Sequence, residues 1–406
     1  MKTDYDLLIV GGGMVGASLA CALGNTSLRI GIVEAYPFTS STQPSYDDRS
    51  IALSFGTRKI FDSMGIWSEL QDKVTPIENI HVSDRGYFGV TRMSAVKYGF
   101  DALGYVVENR ELGGVFLAKL PQYENVDLIC PAILTGIDLL ETHVNTVIEE
   151  NGKQRTISTA LIIGADGGNS VVRKLMNINA HVSDYGQTAV IANVTPDRCH
   201  ENVAYERFTD TGPLALLPMS DNRCSLVWTV LNDQVDSILG LDESAFLARL
   251  QERFGYRLGR LIKAGKRNAY PLKLVKVKQH TMKRLALIGN AAHTLHPIAG
   301  QGFNLGLRDV AALAQVLVDA AKFGDDPGAT MVLKEYGKWR DGDQKEIITL
   351  TDSLVKIFSN NYMPVGLARS AGLLAFDVMP PLKRALMRKT MGLSGRQPRL
   401  TRGLPV

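Results

Sequence analysis

Tyr5-Asp6-Leu7-Leu8-Ile9-Val10 runs without a break into Gly11-x-Gly13-x-x-Gly16 and on into Leu19-Ala20-Cys21-Ala22-Leu23. An apolar strand delivered straight to three spaced glycines and a helical pattern leaves few folds open. The first glycine makes a tight turn, the second lets the backbone approach a pyrophosphate, and the third lets helix and strand pack closely. The next apolar run, Ile30-Gly31-Ile32-Val33, ends at Glu34, eighteen residues beyond Gly16. That is close to the spacing at which an acid meets ribose hydroxyls. The N-terminus therefore reads as a strand-helix-strand unit that binds a dinucleotide.

Two later segments repeat the theme. Leu161-Ile162-Ile163 runs into Gly164-Ala165-Asp166-Gly167-Gly168-Asn169-Ser170, again a strand that ends in a Gly and Asp turn at the start of a helix. Leu285 to Ile288 ends in Gly289-Asn290, a loop with Pro297, Gly300 and Gly302 follows, and a helix is expected from near Asn304. Glycines and a helix start together bring free backbone N–H groups to an electron-rich, planar or phosphorylated ligand.

Between these segments the pattern is mostly of strands. Residues 77–107 alternate apolar and polar, with a break at Gly86, and strands are expected at 126–129, 143–148, 154–157, 189–194, 203–208, 214–219 and 224–230. Helices are expected from Arg49 to a C-cap at Gly65, from Asn109 to Leu120 and from Glu243 to Phe254, with a polar surface loop over 37–48. This order predicts an α/β chain with a Rossmann-like nucleotide domain, an inserted, mostly antiparallel β-sheet substrate domain and a helical C-terminus. The expected nucleotide-domain segments are 1–76, 101–182 and 276–330, the substrate-domain segments 77–100 and 183–275, and the helical region 331–406.

Hydrophobic residues make up 45% and charged residues 21%, which is ordinary for a soluble globular chain. No apolar run is long enough to cross a bilayer, no basic leader precedes the first strand, and nothing points to nucleic acid. Cys21, Cys130, Cys199 and Cys224 are scattered, so neither a disulfide frame nor a zinc site is expected. A cytoplasmic location follows, with a peripheral place on the inner membrane as its extension. From Ser353 onward there are nine Lys or Arg against one acid, Asp377, among apolar stretches such as Leu373-Leu374-Ala375-Phe376. That tail is either a solvated basic end or an amphipathic surface for anionic membrane or a partner protein.

Gly11-x-Gly13-x-x-Gly16 with Glu34, Gly164-Ala165-Asp166-Gly167-x-x-Ser170-x-x-Arg173, and Gly289-Asn290-Ala291-Ala292-His293 running to Pro297-x-x-Gly300-Gln301-Gly302-Phe303-Asn304 together resemble the FAD-dependent aromatic hydroxylases. The resemblance covers nearly the whole chain. His293-Thr294-Leu295-His296-Pro297 through Asn304-Leu305-Gly306-Leu307-Arg308-Asp309 is similar to the ubiquinone-biosynthesis branch. Tyr205-Glu206-Arg207-Phe208-Thr209, Gly212 to Asp221, Ala264 to Arg267 and Asn290 narrow it towards the hydroxylases of 2-polyprenyl-6-methoxyphenol. Most of the family has Asp where this chain has Asn290. Asn keeps an acceptor oxygen and adds a donor, so the hydrogen bond to the flavin ribityl chain survives the change.

The resemblance implies a p-hydroxybenzoate hydroxylase-like fold and an FAD-dependent monooxygenase using O2 and NADPH or NADH as co-substrate. A flavin C4a-hydroperoxide passes one oxygen to a polyprenylated phenol. A different ring position, or a small soluble aromatic acid, is the alternative substrate. The acid would need an arginine facing the flavin, for which Arg207 and Arg223 are the candidates. A flavin-binding component of a multi-enzyme ubiquinone-biosynthesis assembly is the reading from another class. The implied FAD contacts are Gly11, Gly13, Gly16, Glu34, Arg49 towards the pyrophosphate, Arg110, Asp166, Gly167, Asn290, Pro297, Gly300, Gln301, Gly302, Phe303 and Asn304. No catalytic base is assigned. His293 and His296 are either weak candidates for one or anchors for the loop. Trp228, Met219 and Phe208 lie on strands, either as core or as lining of an apolar cleft.

Overall fold

Parallel strands Leu285–Leu287, Lys153–Gly164, Tyr5–Val10, Ile30–Val33 and Val126–Ile129 lie side by side in that order. The computed structural model describes residues 3–38, 49–358 and 363–406. Beyond Pro37 and Phe38, the polar loop expected over 37–48 lies outside the described residues. Near-continuous burial of Leu7, Leu8, Ile9, Ile30 and Ile32 shows why the strands are parallel and central: both faces are covered. One cover is the pair of helices Met14–Leu23 and Gln301–Phe323, which pack together in the main core. Strands Ile133–Leu139 and Val144–Glu150 extend the sheet antiparallel from Lys153–Gly164.

A second sheet of nine strands is mostly antiparallel, with one parallel pairing between Asn79–Asp84 and Val203–Thr209. Its side chains alternate by face. Val190, Ala192, Leu214, Leu216, Leu226 and Trp228 point to one face, where Phe246, Leu250 and Phe254 of the helix Glu243–Phe254 seal them. The other face carries Ile191, Ala215, Leu217, Val227 and Glu206, all only half-buried. A small third sheet, Ser50–Ser54, Val74–Ile77 and Gly104–Glu108, stands beside it. The helices Thr330–Phe358, Met363–Val378 and Pro380–Thr390 form the C-terminal region.

Three local expectations are corrected. The stretch Arg49–Leu53 is not helical: Ser50–Ser54 is a strand paired with Gly104–Glu108, and the helix begins only at Phe55, capped by Ser54 Oγ accepting the Thr57 N–H at 3.2 Å. Ile51 and Leu53 satisfy a strand alternation as well as a helical one, and a partner fifty residues away decides. The strand expected at 154–157 is part of one long strand, Lys153–Gly164, that runs into the parallel sheet. The last loop winds into helix at Gln301, three residues before Asn304.

Candidate active site

Gly11, Glu34, Asp166 and Gly289 lie one or two residues beyond the carboxyl ends of four neighbouring parallel strands, where open α/β sheets bind ligands. Gly11 has φ +101°, and a Cβ there would lie 2.7 Å from the Ala165 carbonyl oxygen. A Cβ at Gly16 would strike the Gly11 carbonyl oxygen. Gly13 is the extended N-cap of Met14–Leu23. Glu34 is buried, with Oε2 accepting the Gly12 N–H at 2.7 Å and Oε1 the Tyr36 N–H at 2.9 Å. The acid and the glycine turn are thus joined in one cradle at the sheet edge.

Arg173 ties the second turn to the third. Its guanidinium donates to the Ala291 carbonyl at 2.7 Å and to the Gly168 carbonyl. Asp166 Oδ2 accepts the Val172 N–H at 3.0 Å, while Oδ1 is buried without a protein partner. Gly167 has φ +80° and open space where a Cβ would stand. Asn290 presents an exposed side chain beside this turn.

The loop from Pro297 to Gly302 is held from three sides. Ala299 and Gly300 both adopt left-handed backbone, φ 54° and 59°, and a Cβ on Gly300 would press on Ala52 Cβ at 2.9 Å. Asn304 is fully engaged by protein: Oδ1 accepts from Ser54 N and Thr57 Oγ1, each at 2.7 Å, and Nδ2 donates to the Ala52 and Gly300 carbonyls. Its side chain builds the loop, leaving only its backbone for a ligand. Gln301 Nε2 donates to the Ala299 carbonyl and, at 3.2 Å, to the Thr390 carbonyl, while its Oε1 is buried and unpartnered. Phe303 packs on the main core near Phe61. Gly302 stands in the first turn of Gln301–Phe323, with nothing within 4 Å of where its Cβ would be. This open end of a 23-residue helix carries free N–H donors and the positive end of the helix dipole.

The two histidines are buried anchors. His293 is 1% exposed, and its Nε2 lies 2.7 Å from Asp309 Oδ2, which also accepts the Gly289 N–H. Burial alone would raise the Asp309 carboxyl, but His293 and Arg340 hold it far below the usual range. His296 accepts the Ile298 N–H at Nδ1, packs edge-on against Tyr185, and is pushed down to about 4 by burial. Neither ring is placed to meet a substrate from solvent.

Arg49 lies over the Tyr270 ring at 4.6 Å, and its carbonyl accepts the Asn109 N–H, which brings Arg110 alongside. Arg110 is exposed and paired with Glu108 at 2.9 Å. Glu108 also binds Arg223 at 2.9 Å. Arg207 donates to the Phe254 carbonyl on the sealed face of the second sheet. Arg207 therefore stands on the sealed face, and Arg223 is taken up by Glu108. Of the two readings of Trp228 the core one holds: it packs against Phe246 and does not line the cleft. Met219 packs with Ile77, Val106 and Ala204, and Phe208 stacks on Phe358 beside Ile298.

Glu206 was not singled out by the sequence. It lies between Ala204 and Phe208 on the half-open face, in a row with Val82, Ala215, Val227 and Ile191. Burial pushes its carboxyl up to about 7, partly offset by the Ala299 N–H of the opposing loop. A carboxylate in register with apolar neighbours on a strand was the signal available.

A dinucleotide crevice, a helix N-terminus aimed at a glycine loop and an apolar sheet face opposite that loop define a flavoprotein monooxygenase. The FAD binding domain family matches residues 134–341. The chain is 40% identical to the ubiquinone hydroxylase UbiL of Rhodospirillum rubrum, covering 99% of this chain and 93% of that protein. It is 33% identical to the 3-demethoxyubiquinol 3-hydroxylase of Escherichia coli K12, covering 96% and 98%. The p-nitrophenol 4-monooxygenase PnpA of Pseudomonas putida shares the fold at TM-score 0.81 and 19% identity, over 98% of this chain and all of that one. The chain belongs to the ubiquinone-biosynthesis branch of the FAD-dependent aromatic hydroxylases. It is an FAD-dependent monooxygenase.

Proposed function

We propose that the protein hydroxylates a polyprenylated phenol, 2-polyprenyl-6-methoxyphenol, with O2 and NAD(P)H. The observation that carries this reading is the half-open face of Ile191, Ala215, Leu217 and Val227 opposite the Pro297–Gly302 loop, with Arg207 turned to the sealed face and Arg223 neutralised by Glu108. Such a face suits a ring with a long hydrocarbon tail better than a free carboxylate.

The residues present fit FAD. Gly11, Gly13 and Gly16 would cradle the pyrophosphate, Glu34 the ribose, and Arg49 and Arg110 would flank the same edge. Asp166, with an unpartnered buried oxygen, Gly167 and Asn290 would meet the ribityl chain, and the N–H groups of Gly302, Phe303 and Asn304 the flavin ring. Bound FAD, reduced by NAD(P)H, supplies the activation of O2 and the oxygen atom transferred. The chain's own part is to orient the phenol and keep water from the reacting atoms. Purified protein given FAD, NAD(P)H and short-chain 2-prenyl-6-methoxyphenol should form a product one oxygen heavier by mass spectrometry. Coupled turnover of p-hydroxybenzoate instead would support the soluble-acid alternative.

The substrate's tail gives the basic C-terminal face a purpose. A cavity of about 670 Å³ is lined by Lys59, Lys97, Arg384, Arg388 and Arg402 over Phe100 and Met387. No acid lines it. This surface docks on anionic membrane or on a partner that presents the substrate. Gln301, bonded to Thr390 at the end of Pro380–Thr390, links it to the flavin loop.

A further inference from the structure

Glu206 is the ionisable side chain in the row Val82, Glu206, Ala215, Val227 and Ile191 that crosses the half-open sheet face. A carboxylate set among apolar side chains costs stability unless something answers it. Here the protein answers it weakly. Among the described residues no charged side chain enters its titration, only burial and the Ala299 N–H. That N–H belongs to a residue in left-handed backbone, φ 54°, a conformation that is strained for a residue with a side chain and clusters at functional sites. Ala299 lies one residue before Gly300, in the loop that faces this sheet through the contact of Ile298 with Phe208.

Its surroundings narrow what the carboxylate can do. Val82 and Ala215 flank it on neighbouring strands, Ala204 and Phe208 on its own, and Val355 and Phe358 of the helix Thr330–Phe358 close the Phe208 end. His296, in the facing loop, is held neutral by burial above about pH 4. Arg207 and Tyr205 point to the opposite face, towards Phe254. A ligand entering this cleft therefore meets the Glu206 carboxylate among Val82, Ala215, Val227 and Ile191, while the other carboxylate on this face, Asp84 at the Phe208 end, is taken up by Arg369 at 3.1 Å. The matching ligand group is a neutral O–H donor on an apolar body.

We infer that Glu206 is the catalytic proton acceptor for the substrate's phenol hydroxyl. This rests on the aromatic-hydroxylase reading above. The phenol O–H bond breaks and a Glu206 carboxyl O–H bond forms. The electron pair stays on the phenol oxygen and spreads to the ring carbons ortho and para to it, which makes them more nucleophilic towards the incoming oxygen atom. The proton returns to the product's oxygen or to solvent once the ring is rearomatised. No other oxidant or reductant is needed. An acceptor that titrates near the working pH is the efficient choice for such a transfer, and burial brings Glu206 to about 7.

The test compares FAD-loaded wild type with Glu206→Gln and Glu206→Asp, using short-chain 2-prenyl-6-methoxyphenol and its O-methyl ether. Binding is read from the perturbation of flavin absorbance between pH 5.5 and 9. Wild type should bind the phenol more tightly as pH rises through about 7 and bind the ether without that dependence. Glu206→Gln should lose both the pH dependence and the preference for phenol over ether, keep its FAD, and lower kcat for hydroxylation by about 100-fold or more with KM little changed. Glu206→Asp should restore part of the pH limb. A Gln variant that keeps the wild-type pH profile and the phenol preference overturns the assignment. Wild type that neither binds nor hydroxylates the methoxyphenol would instead overturn the substrate reading on which it rests.

Discussion

His293 Nε2 lies 2.7 Å from Asp309 Oδ2, both side chains sealed from solvent. The other carboxylate oxygen accepts from Arg340 Nε at 2.7 Å and Gln344 Nε2 at 2.9 Å. One aspartate thus joins the Gly289 turn, the helix Gln301–Phe323 and the helix Thr330–Phe358. Asp309→Asn removes one of the two counter-charges of buried Arg340, leaving Asp343, and strips His293 and the Gly289 N–H of their carboxylate; it should cost about 1–3 kcal/mol of stability, read by chemical denaturation. Because the native carboxylate resists protonation, its contribution is present above the unfolded value near 3.8 and fades as pH falls below it. The Asn variant should lose that acid-dependent part. Equal stability of the two proteins at pH 7 would show that the network does not hold the loop.

The parts that could be read in the sequence are those whose signal is local. Strand, Gly11-x-Gly13-x-x-Gly16 and helix are contiguous, and Glu34 is placed by the length of one strand-helix-strand unit, so spacing alone locates the crevice. Ser50–Ser54 carries no deciding local sign of being a strand because its partner, Gly104–Glu108, is remote. The role of Trp228 and the interest of Glu206 both turn on which face the helix Glu243–Phe254 covers, and period-2 alternation does not say. His293 looked available for chemistry because Asp309, sixteen residues on, gives no sign in sequence that it points back.

Gly302 separates cofactor binding from folding. A side chain there meets no protein atom within 4 Å, whereas one at Gly11 or Gly16 collides with backbone. Gly302→Val should therefore leave the thermal unfolding of the flavin-free protein nearly unchanged while FAD affinity falls at least tenfold, about 1.4 kcal/mol. Full FAD retention by this variant would move the flavin ring away from the helix start.

Asn290 is exposed and carries no fold interaction that a charge would break. Asn290→Asp should keep FAD binding and most activity, since an acceptor oxygen remains. Asn290→Leu removes the polar partner and should weaken FAD by about 1–3 kcal/mol in a fluorescence titration. Tighter FAD binding by the Leu variant than by the Asp variant would contradict a hydrogen-bonding role.

Glu206 also has a consequence independent of turnover. Its folded carboxyl titrates near 7 against 4.5 for the unfolded chain, so between those values the folded state holds a proton the unfolded state has released. Stability then falls as pH rises from about 4.5 to 7 and stays lowered above it. Glu206→Gln, which never ionises, should match wild type near pH 4.5 and exceed it at pH 8 by about 1–3 kcal/mol. Identical denaturation midpoints at pH 8 would show that the carboxylate is already comfortable in the cleft.

The structure sorts the cations of the basic tail. Lys383 is tied to Asp377 at 2.6 Å and to the Arg92 carbonyl at 2.9 Å, and Lys389 is paired with Glu346. Arg384 and Arg388 instead line the cationic cavity with Lys59, Lys97 and Arg402. Reversing the two paired lysines would disturb packing, so the sharper variant is Arg384→Glu with Arg388→Glu. If the face docks on anionic membrane, each arginine contributes about 1 kcal/mol there. The double variant should bind vesicles containing phosphatidylglycerol roughly thirtyfold less well, and added salt should weaken the wild type in the same direction. FAD content and NAD(P)H oxidation should be unchanged, because neither arginine reaches the flavin loop directly; the link runs through the backbone of Thr390. Loss of quinone synthesis in cells with vesicle binding intact would point to a protein partner on this face, and unchanged binding and synthesis would leave the tail a solvated basic end.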